Sequence, residues 1–375
     1  MRFVPALLLS LGLGVSSANA QQCGGDFNQF VQGMRAEALA NGHSQANVDA
    51  FFRHASYLQR AIDADRRQGI FTMPFTEFAR RLISQNRIDN GRRNAQRWSS
   101  VFDAAEQRFG VSRGVLLAFW AFETDYGAFQ GDYNTLDALV TLAYDCRRPE
   151  LFRPQVFAAL SLFENGDFDP VNTQGAWAGE IGMVQMLPED ILHRGIDGDG
   201  DGHVYLQTSA PDALMSGANM LSSLGWRPNE PWLVEVTLPS DLEWLDTGIH
   251  TTKPVSEWES LGVQARSGSL PMRNAQASVV IPQGRNGPAF LAYPNFSVLF
   301  EWNQSFTYVM TAAYFATRLE GGPVFDAGNP DPGLSGNQMR ELQSRLAARG
   351  YDVGGIDGIL GAGTRAAVRA EQRRL

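Results

Sequence analysis

The chain has 375 residues, of which 44% are hydrophobic and 11% aromatic. A chain of this length and composition can bury a large hydrophobic core and leaves room for a small additional unit. The formal net charge is −9, and no run of lysine or arginine is dense enough to follow a phosphate backbone. This charge balance argues against nucleic acid as a partner, whereas a carbohydrate polymer meets no such objection.

The first twenty residues have the pattern of a secretory signal. Arg2 precedes an apolar run from Phe3 to Val15, and small residues follow up to Ala20. The pattern predicts a signal peptide at residues 1–20 that is cleaved after Ala20, and hence a periplasmic mature protein. A membrane anchor is the alternative, but the run is shorter than the roughly 20 residues of a membrane span. No second such run follows, so we expect no transmembrane segment in the mature protein.

Two cysteines are present, Cys23 and Cys146. In an oxidising exported compartment two thiols are more often paired than free, so we predict a disulfide between them. The loop that it closes is long enough for roughly 4 kcal/mol of stabilisation in the chain-entropy model. Because Gln21 and Gln22 separate the cleavage point from Cys23, no lipid anchor is expected on that cysteine.

Apolar residues spaced three and four apart predict helices over most of residues 27–224. Capping and stop residues indicate where individual helices begin and end. The predicted helices are 113–124 after the N-cap Ser112, one that Thr135 opens, 154–163 from Pro154, and 211–224 with Pro211 in its first position and Gly225 as its stop. We therefore expect a mainly α protein.

Residues 232–303 change to short apolar and β-branched runs separated by Pro, Gly and Asn, which predicts a small β-containing insert. The runs are 233–238, 278–281 and 290–293. A helix at 305–319 returns the chain to the helical body, and Ser335 and Thr364 are predicted to cap two further helices. The predicted units are a signal peptide at 1–20, a main domain at 21–320, a Gly-, Pro- and Asp-rich linker at 321–333 and a small module at 334–375.

Glu123 is the candidate catalytic residue. The preceding helical segment, residues 115–122, is apolar nearly all the way round, which indicates a buried helix. Burial disfavours the charged form of a carboxyl group, and the raised pKa suits a general acid near neutral pH. The alternative is a structural glutamate that pairs with an arginine such as Arg113 or Arg153. Asp125, two residues on, points to a different side of the helical turn and is a poor second catalyst.

Several blocks of the sequence, in the same order, closely resemble the membrane-bound lytic murein transglycosylase B family. The blocks are Gly-Val at 110–111, Glu-Thr-Asp-Tyr-Gly at 123–127, Gly-Glu-Ile-Gly-Met-Val-Gln-Met-Leu-Pro at 179–188, Gly-Asp-Gly-Asp-Gly-His at 198–203, Asp-Ala at 212–213, Leu-Gly-Trp at 224–226, Pro-Asn-Phe at 294–296 and Trp-Asn-Gln-Ser at 302–305. The resemblance covers residues from about 26 to 320, and so many spaced blocks make a chance match improbable.

The resemblance implies a lysozyme-like catalytic domain that acts on peptidoglycan glycan strands as a monomer. In the family, the glutamate that Glu123 matches protonates the bond between N-acetylmuramic acid and N-acetylglucosamine. The same group then deprotonates the C6 hydroxyl, so that a 1,6-anhydro sugar forms without water and without a cofactor. One carboxylate suffices because the substrate's N-acetyl group stabilises the charge at the anomeric carbon, whereas an ordinary glycosidase needs two carboxylates. A hydrolytic muramidase and a non-catalytic peptidoglycan-binding protein are the alternatives.

The resemblance also implies a substrate-binding set. Gln185 matches a substrate-contacting glutamine, and Asn303 and Tyr308 match polar residues on the wall opposite the glutamate. Two positions depart from the pattern, because Ala176 stands where many relatives have serine and Trp302 where they have tyrosine. Both changes remove a hydroxyl group from the expected cleft. Trp302 is interpreted as a stacking wall for sugar, with plain packing as the alternative.

The segment from Asp197 to His203 alternates aspartate with glycine, which is typical of a calcium loop. It departs from a standard EF-hand because Thr208 stands at the twelfth position, where a glutamate belongs. The predicted ligands of a structural Ca²⁺ are Asp197, Asp199, Asp201, Asp212 and the backbone carbonyl of His203. A solvated acidic turn is the alternative.

The C-terminal segment resembles a peptidoglycan-binding-like module of short helices. The matching residues are Leu342-Gln343, Leu346, Gly350-Tyr351, Ile356-Asp357-Gly358, Gly361 and Thr364-Arg365-Ala366. Because the sequence ends at Leu375, we expect a short, incomplete helical module. The alternative is a partly ordered tail.

Overall fold

The computed structural model describes residues 23–67 and 73–375. The predicted signal peptide at residues 1–20 lies outside this part of the chain. Within the described residues the protein is mainly α-helical, with two small antiparallel sheets and a helical C-terminal module, which confirms the predicted fold class. None of the helices in those two ranges is both long and apolar enough to cross a membrane.

Eleven helices precede the larger sheet in the described ranges. They are α1 (Phe27–Ala40), α2 (Gln45–Phe52), α3 (Gln59–Arg66), α4 (Phe75–Leu82), α5 (Gln85–Arg97), α6 (Ser99–Phe109), α7 (Arg113–Thr124), α8 (Thr135–Tyr144), α9 (Pro149–Asn165), α10 (Pro188–Arg194) and α11 (Ala210–Ser223). A two-stranded ribbon pairs β1 (Tyr133–Asn134) with β2 (Gln174–Gly175).

The larger sheet and the remaining helices follow. They are β3 (Leu233–Thr237), a 3-10 helix (Trp244–Asp246), β4 (Lys253–Pro254), α12 (Val255–Ser260), β5 (Gln264–Ala265), β6 (Gln276–Val280), β7 (Ala289–Ala292), α13 (Pro294–Trp302), α14 (Phe306–Leu319), α15 (Gly336–Ala347) and α16 (Ala362–Arg374). The predicted β-containing insert is therefore present between α11 and α13.

The larger sheet has the strand order β4-β6-β7-β3-β5, and its paired strands are antiparallel. In its centre Val279 lies opposite Leu291, and Val280 lies opposite Phe290. Consecutive side chains of a strand point to opposite faces. Val280 and Phe290 therefore pack into the core of the helical body, while Val279 and Leu291 pack with Trp258 into a second core. Burial on both faces explains why these strands have continuous apolar runs.

Helix α7 lies at the centre of the helical body. Its bounds agree with the prediction, and the Ser112 hydroxyl accepts a hydrogen bond from the Val115 N–H at 3.4 Å. Residues 114–121 are all buried, because α14, α5, α6 and α11 surround the helix. The apolar sequence of α7 thus reflects a position in which every face contacts protein.

One predicted helix start is wrong. The helix predicted to begin at Pro154 begins at Pro149, so that Pro154 lies inside α9. Proline is well suited to a first helical position because the N–H at that position has no partner within the helix. The sequence contains two prolines with this preference, and only the packing of α9 against α8 and α10 decides which one begins the helix.

The C-terminal module has a small core of its own. Leu346, Val353 and Ala367 pack together, and the buried Gln343 amide donates to the Thr364 hydroxyl at 3.1 Å. Ser335 caps α15 as predicted. The prediction that Thr364 caps the last helix is wrong, because α16 begins earlier, after Gly361. Thr364 instead lies buried and donates to the carbonyl of Val353.

Helix α16 also contacts the main domain. The Arg365 guanidinium lies over the Phe306 ring, 4.6 Å from the ring centroid. Arg373 donates to the Leu245 carbonyl at 2.8 Å. The C-terminal module therefore packs on the main domain through its last helix.

The predicted disulfide between Cys23 and Cys146 is present. It joins the segment before α1 to the loop after α8, across a sequence separation of 123 residues. The Gly24 N–H also donates to the Tyr144 carbonyl at 2.8 Å beside it. The Tyr144 hydroxyl donates in turn to the Gly25 carbonyl at 2.6 Å. The disulfide and these two hydrogen bonds therefore hold the described N-terminal segment against the helical body.

Removing the disulfide should destabilise the protein without removing its activity. For Cys23→Ser combined with Cys146→Ser, we expect the free energy of unfolding to fall by roughly 4 kcal/mol, since the unfolded chain gains loop entropy. Urea denaturation of the variant beside the oxidised and the reduced wild-type protein measures this. An unchanged denaturation midpoint would contradict the expectation.

Candidate active site

Glu123 lies in the last turn of α7, where the helix ends abruptly. Asp125 and Tyr126 both adopt positive φ angles, 51° and 62°. Asp125 forms an ion pair with Arg87 of α5 at 2.9 Å, and the Thr124 hydroxyl donates to the Met183 carbonyl at 2.6 Å. These contacts fix the end of α7 against the loop that follows β2.

Two uncharged donors bind the same oxygen of Glu123. The Tyr308 hydroxyl of α14 donates to Oε1 at 2.6 Å, and the Trp302 indole N–H of α13 donates to Oε1 at 3.1 Å. Within the described residues, Oε2 takes no hydrogen bond. The carboxyl group is thus held at one oxygen, and the other oxygen remains open to a ligand.

Burial raises the pKa of the Glu123 carboxyl from its ordinary value of 4.5 to about 7. The hydrogen bonds from Tyr308 and Trp302 oppose this shift, because they stabilise the carboxylate, while the charge of Glu180 adds to it. A group with a pKa near 7 has both a protonated and an ionised fraction at neutral pH. Such a group can donate a proton and take one back in a single turnover.

The alternative interpretation of Glu123 as an ion-pair partner is wrong. Arg113 pairs with Asp103 at 2.5 Å, and Arg153 pairs with Glu37. No salt bridge formed within residues 23–67 and 73–375 includes Glu123. The carboxyl group is therefore stabilised by neutral donors alone.

Trp302 has a contact that the sequence did not suggest. Its ring stacks on Phe119, with ring centroids 4.6 Å apart and 27° between the planes. A tryptophan in place of tyrosine loses a hydroxyl group, but its indole N–H is also a hydrogen-bond donor. The structure shows that the indole N–H of Trp302 reaches Glu123.

Gln185 and Asn303 lie beside this arrangement without touching Glu123. Gln185 has a positive φ of 54°, and its amide donates to the carbonyl of Gly182 at 2.7 Å. The Asn303 carbonyl oxygen accepts from the Ser305 N–H at 2.9 Å, between α13 and α14. Of the four predicted substrate-binding residues, the structure brings Trp302 and Tyr308 to the glutamate.

Glu180 is a residue that the sequence reasoning passed over. In the sequence it stands within the Gly-Glu-Ile-Gly block at residues 179–182. Its Oε2 is buried and has no hydrogen-bond partner, and burial raises the pKa of its carboxyl. The sequence does hold a signal for this buried carboxyl group, because Glu180 is an ionisable residue in a segment that is otherwise rich in glycine and apolar residues.

The aspartate loop brings together three of its predicted ligands. Carboxylate oxygens of Asp197, Asp199 and Asp212 lie within 4.8 Å of one another. Asp212 is fully buried and accepts hydrogen bonds from two backbone N–H groups, those of Gly198 at 2.9 Å and Tyr205 at 2.8 Å. From α11, the Asp212 carboxylate therefore lies against the aspartate loop.

The side chains of Asp201 and His203 are not among these three converging carboxylates. That Asp201 and the backbone carbonyl of His203 also bind the ion stays a prediction. The Asp201 carboxylate accepts from the His203 N–H at 2.9 Å and so caps its own turn. The His203 ring binds Asp167 at 2.9 Å. Short-range bonds to neighbouring N–H groups compete with a shared site for these side chains.

Comparison with known proteins agrees with this architecture. The family model of the transglycosylase SLT domain matches residues 26–317, and that of a peptidoglycan binding domain matches residues 335–375. The membrane-bound lytic murein transglycosylase B of Escherichia coli (strain K12) is 25% identical over 310 residues, which cover 78% of this chain and 83% of that protein.

Solved structures are similar as well. The crystal structure of SltB3 from Pseudomonas aeruginosa in complex with NAG-NAM-pentapeptide has a TM-score of 0.85 and 35% identity, and the match covers 94% of this chain and 95% of the other. The Escherichia coli lytic transglycosylase Slt35 in complex with calcium shares the fold, with a TM-score of 0.68, 24% identity and coverage of 81% and 97%. The SLT-domain model extends over most of the chain, from α1 to α14 and around Glu123. The chain therefore belongs to the SLT-domain family of lytic murein transglycosylases, which are enzymes that cleave peptidoglycan.

Proposed function

We propose that this protein cleaves the β-1,4 bond between N-acetylmuramic acid and N-acetylglucosamine, and forms 1,6-anhydro-N-acetylmuramic acid. Glu123 is the only general acid and base in this proposal. The observation that supports it is a carboxyl group with a pKa of about 7, held at one oxygen by two uncharged donors.

The reaction would use the two protonation states of Glu123 in turn. The protonated carboxyl group donates its proton to the glycosidic oxygen, and the bond to the anomeric carbon breaks. The carboxylate that remains is stabilised by Tyr308 and Trp302, whose hydrogen bonds favour the charged form. It then takes the proton of the C6 hydroxyl group, whose oxygen closes onto the anomeric carbon. Glu123 is again protonated, and no water is consumed.

A single carboxylate fits the surroundings of Glu123. Asp125 is the nearest acidic residue in sequence, and it is already paired with Arg87. A hydrolytic muramidase is the second candidate, because Glu180 supplies another carboxyl group whose charge acts on Glu123. Inverting glycosidases use such a second group to activate water. The products distinguish the two reactions.

Gln185 and Asn303 remain candidate sugar contacts. Among the described residues, the amide oxygen of Gln185 accepts no hydrogen bond, and the NH₂ group of Asn303 donates none. We propose that these unused amide atoms bind the substrate, as the resemblance implies. Trp302 and Tyr308 in this proposal act on the substrate mainly through Glu123.

We also propose that the protein works in the periplasm, as a monomer, on peptidoglycan strands. The Cys23–Cys146 disulfide suits an oxidising compartment, and peptidoglycan lies in such a compartment. Residues 21–320 would form the catalytic domain, 321–333 the linker and 334–375 a wall-binding module. The match of residues 335–375 to a peptidoglycan binding domain supports this division.

A structural Ca²⁺ fits the aspartate loop. Three carboxylates converge there, and hard oxygen donors of this kind are the ligands that calcium prefers. No cation from the described residues pairs with the buried Asp212 carboxylate, although its two oxygens accept N–H groups. We propose that Asp197, Asp199 and Asp212 hold the ion, with the His203 carbonyl as a further ligand, and that it stabilises the loop without touching the sugar.

Glu123→Gln, which is nearly isosteric, should remove activity without unfolding the protein. We expect the rate on purified peptidoglycan to fall by about 10² to 10⁴-fold, because the variant can neither donate nor accept the proton. Mass spectrometry of the soluble products should show anhydro-muropeptides for the wild type alone. Glu301→Gln removes an exposed carboxyl group from α13 and is the matched control. Hydrated reducing ends would favour a muramidase, and a variant with most of its turnover would exclude Glu123 as the acid.

Glu123→Gln should also change the pH dependence of stability. The pKa of Glu123 is raised on folding, so its contribution to the free energy of unfolding is full below about pH 4.5 and is lost as the pH rises through about 7. Glutamine does not ionise, so the stability of the variant relative to wild type should increase by about 3 kcal/mol between pH 4.5 and pH 8. Urea denaturation across this pH range measures the difference, and parallel curves would contradict it.

Removal of calcium should destabilise the loop and leave the chemistry unaffected. We expect chelator to lower the melting temperature of the wild-type protein by several degrees and added Ca²⁺ to restore it. Asp212→Asn should remove this response to chelator. If the melting temperature of the wild-type protein is the same with chelator and with Ca²⁺, the calcium proposal is wrong.

A further inference from the structure

The last helix of the C-terminal module, α16, reaches the junction between α13 and α14. The Arg365 guanidinium lies over the ring of Phe306, the first residue of α14, with 4.6 Å between the guanidinium carbon and the ring centroid. The same guanidinium donates to the Pro282 carbonyl, shortly after β6, at 3.3 Å. One residue of the module therefore contacts both the β insert and the start of the helix that carries Tyr308.

The Arg365 cation makes this contact without a carboxylate. Its Nε atom is buried and has no hydrogen-bond partner among the described residues. Glu371, the only acidic residue of α16, pairs with other arginines. Burial and the charge of Arg369 lower the pKa of the Arg365 guanidinium to about 10, so it stays charged at neutral pH. In the described part of the chain, the Phe306 ring and the Pro282 carbonyl are therefore what binds this cation.

The Phe306 ring belongs to an aromatic layer that connects α13 to α14. Its centroid lies 6.1 Å from that of Phe300 in α13, and Phe300 in turn contacts Phe296 edge-on at 5.3 Å. A desolvated cation over an aromatic ring contributes roughly 2 kcal/mol or more. Because Arg365 lies over one end of this layer, its contact with the ring adds to the forces that hold the two helices together.

The same junction carries both donors to Glu123. Trp302 is the last residue of α13, and Tyr308 lies in the first turn of α14. Between them, the Asn303 side chain accepts from the Ser305 N–H at 2.9 Å, and the Ser305 hydroxyl accepts from the Tyr308 N–H at 3.4 Å. A shift of the start of α14 relative to α13 therefore changes where the two donors lie relative to the Glu123 carboxyl group.

We propose that Arg365 is a positioning residue for the reaction. Its contact with Phe306 holds the junction between α13 and α14, and this junction places the two donors to Glu123. The C-terminal module then contributes to the chemical step as well as to the proposed binding of the wall. This inference rests on the proposed role of Glu123 as the acid and base.

The test compares kcat and KM on solubilised peptidoglycan strands for variants of this contact. Arg365→Met removes the cation and keeps an unbranched side chain, and Phe306→Leu removes the ring. We expect each to lower kcat by roughly 3- to 30-fold with KM within about twofold of wild type, because small displacements far from the reacting bond slow the chemical step. Arg365→Lys keeps a cation and should retain more of kcat than Arg365→Met.

Arg373→Gln is the matched control for the loss of an α16 cation. Arg373 lies about two turns further along the helix and also bonds to the main domain, at the Leu245 carbonyl in the 3-10 helix of the insert. Its loss should leave kcat unchanged. The double variant of Arg365→Met with Phe306→Leu should have a kcat close to that of either single variant, since both remove the same contact.

Three kinetic outcomes would overturn the proposal. A raised KM with an unchanged kcat in Arg365→Met would show that Arg365 serves only to bind the wall. An equal loss of kcat in Arg373→Gln would show that any loosening of the module has this effect. Additive losses in the double variant would show that Arg365 and Phe306 act separately.

A second readout does not depend on turnover. The indole N–H of Trp302 donates to Glu123, so its ¹⁵N–¹H NMR signal reports where that donor lies. Trp302→Phe removes the signal and so identifies it. In Arg365→Met and Phe306→Leu the signal should shift or broaden, and in Arg373→Gln it should stay in place. An unchanged signal in Arg365→Met would contradict the positioning role.

These measurements separate the inference from the proposed reaction. If Glu123→Gln retains activity, the proposed acid is wrong, and the Trp302 signal of Arg365→Met still tests whether the module positions the donors. If Glu123→Gln is inactive and the Trp302 signal is the same in Arg365→Met and wild type, the proposed reaction stands and Arg365 has no positioning role. Where Phe306→Leu does not fold, Arg365→Met carries the test by both readouts.

Discussion

The carboxyl group of Glu123, at the end of a buried helix, is the group around which the candidate site is arranged. Desolvating a carboxylate is costly, and an arginine placed beside Glu123 would remove that cost together with the proton. The fold instead supplies two neutral donors, Tyr308 and Trp302, on a single oxygen. They make the ionised state accessible without making it dominant, which leaves the pKa of Glu123 at about 7.

The neighbouring arginines show why none of them pairs with Glu123. Arg87 is held by Asp125 at the end of α7, and Arg113 is held by Asp103 at the start of it. Each of these two arginines has its own carboxylate. The donors to Glu123 come from α13 and α14, which follow the β insert, so the insert helps to place the wall opposite α7. Three segments that are distant in sequence thus meet at one carboxyl group.

Two other polar residues, Asp212 and Arg365, connect separate parts of the fold. Asp212 connects the aspartate loop to α11 by accepting hydrogen bonds from two backbone N–H groups. Arg365 packs over Phe306 at the start of α14, so the C-terminal module rests on the same helix that carries Tyr308. The C-terminal module therefore contacts the helix whose Tyr308 donates to Glu123.

The sequence by itself determined the elements that depend on local chemistry. It predicted α7 with its Ser112 cap, the mainly α class with a β insert, and the burial of the helix that presents Glu123. The tertiary structure decided what the side chains touch. Trp302 and Tyr308 reach Glu123 across 179 and 185 residues, and Asp201 turns to its own backbone. Helix caps and apolar periodicity depend on residues that are close in sequence, so they can be predicted from the sequence. The contacts to Glu123 depend on how separate helices pack, so they cannot.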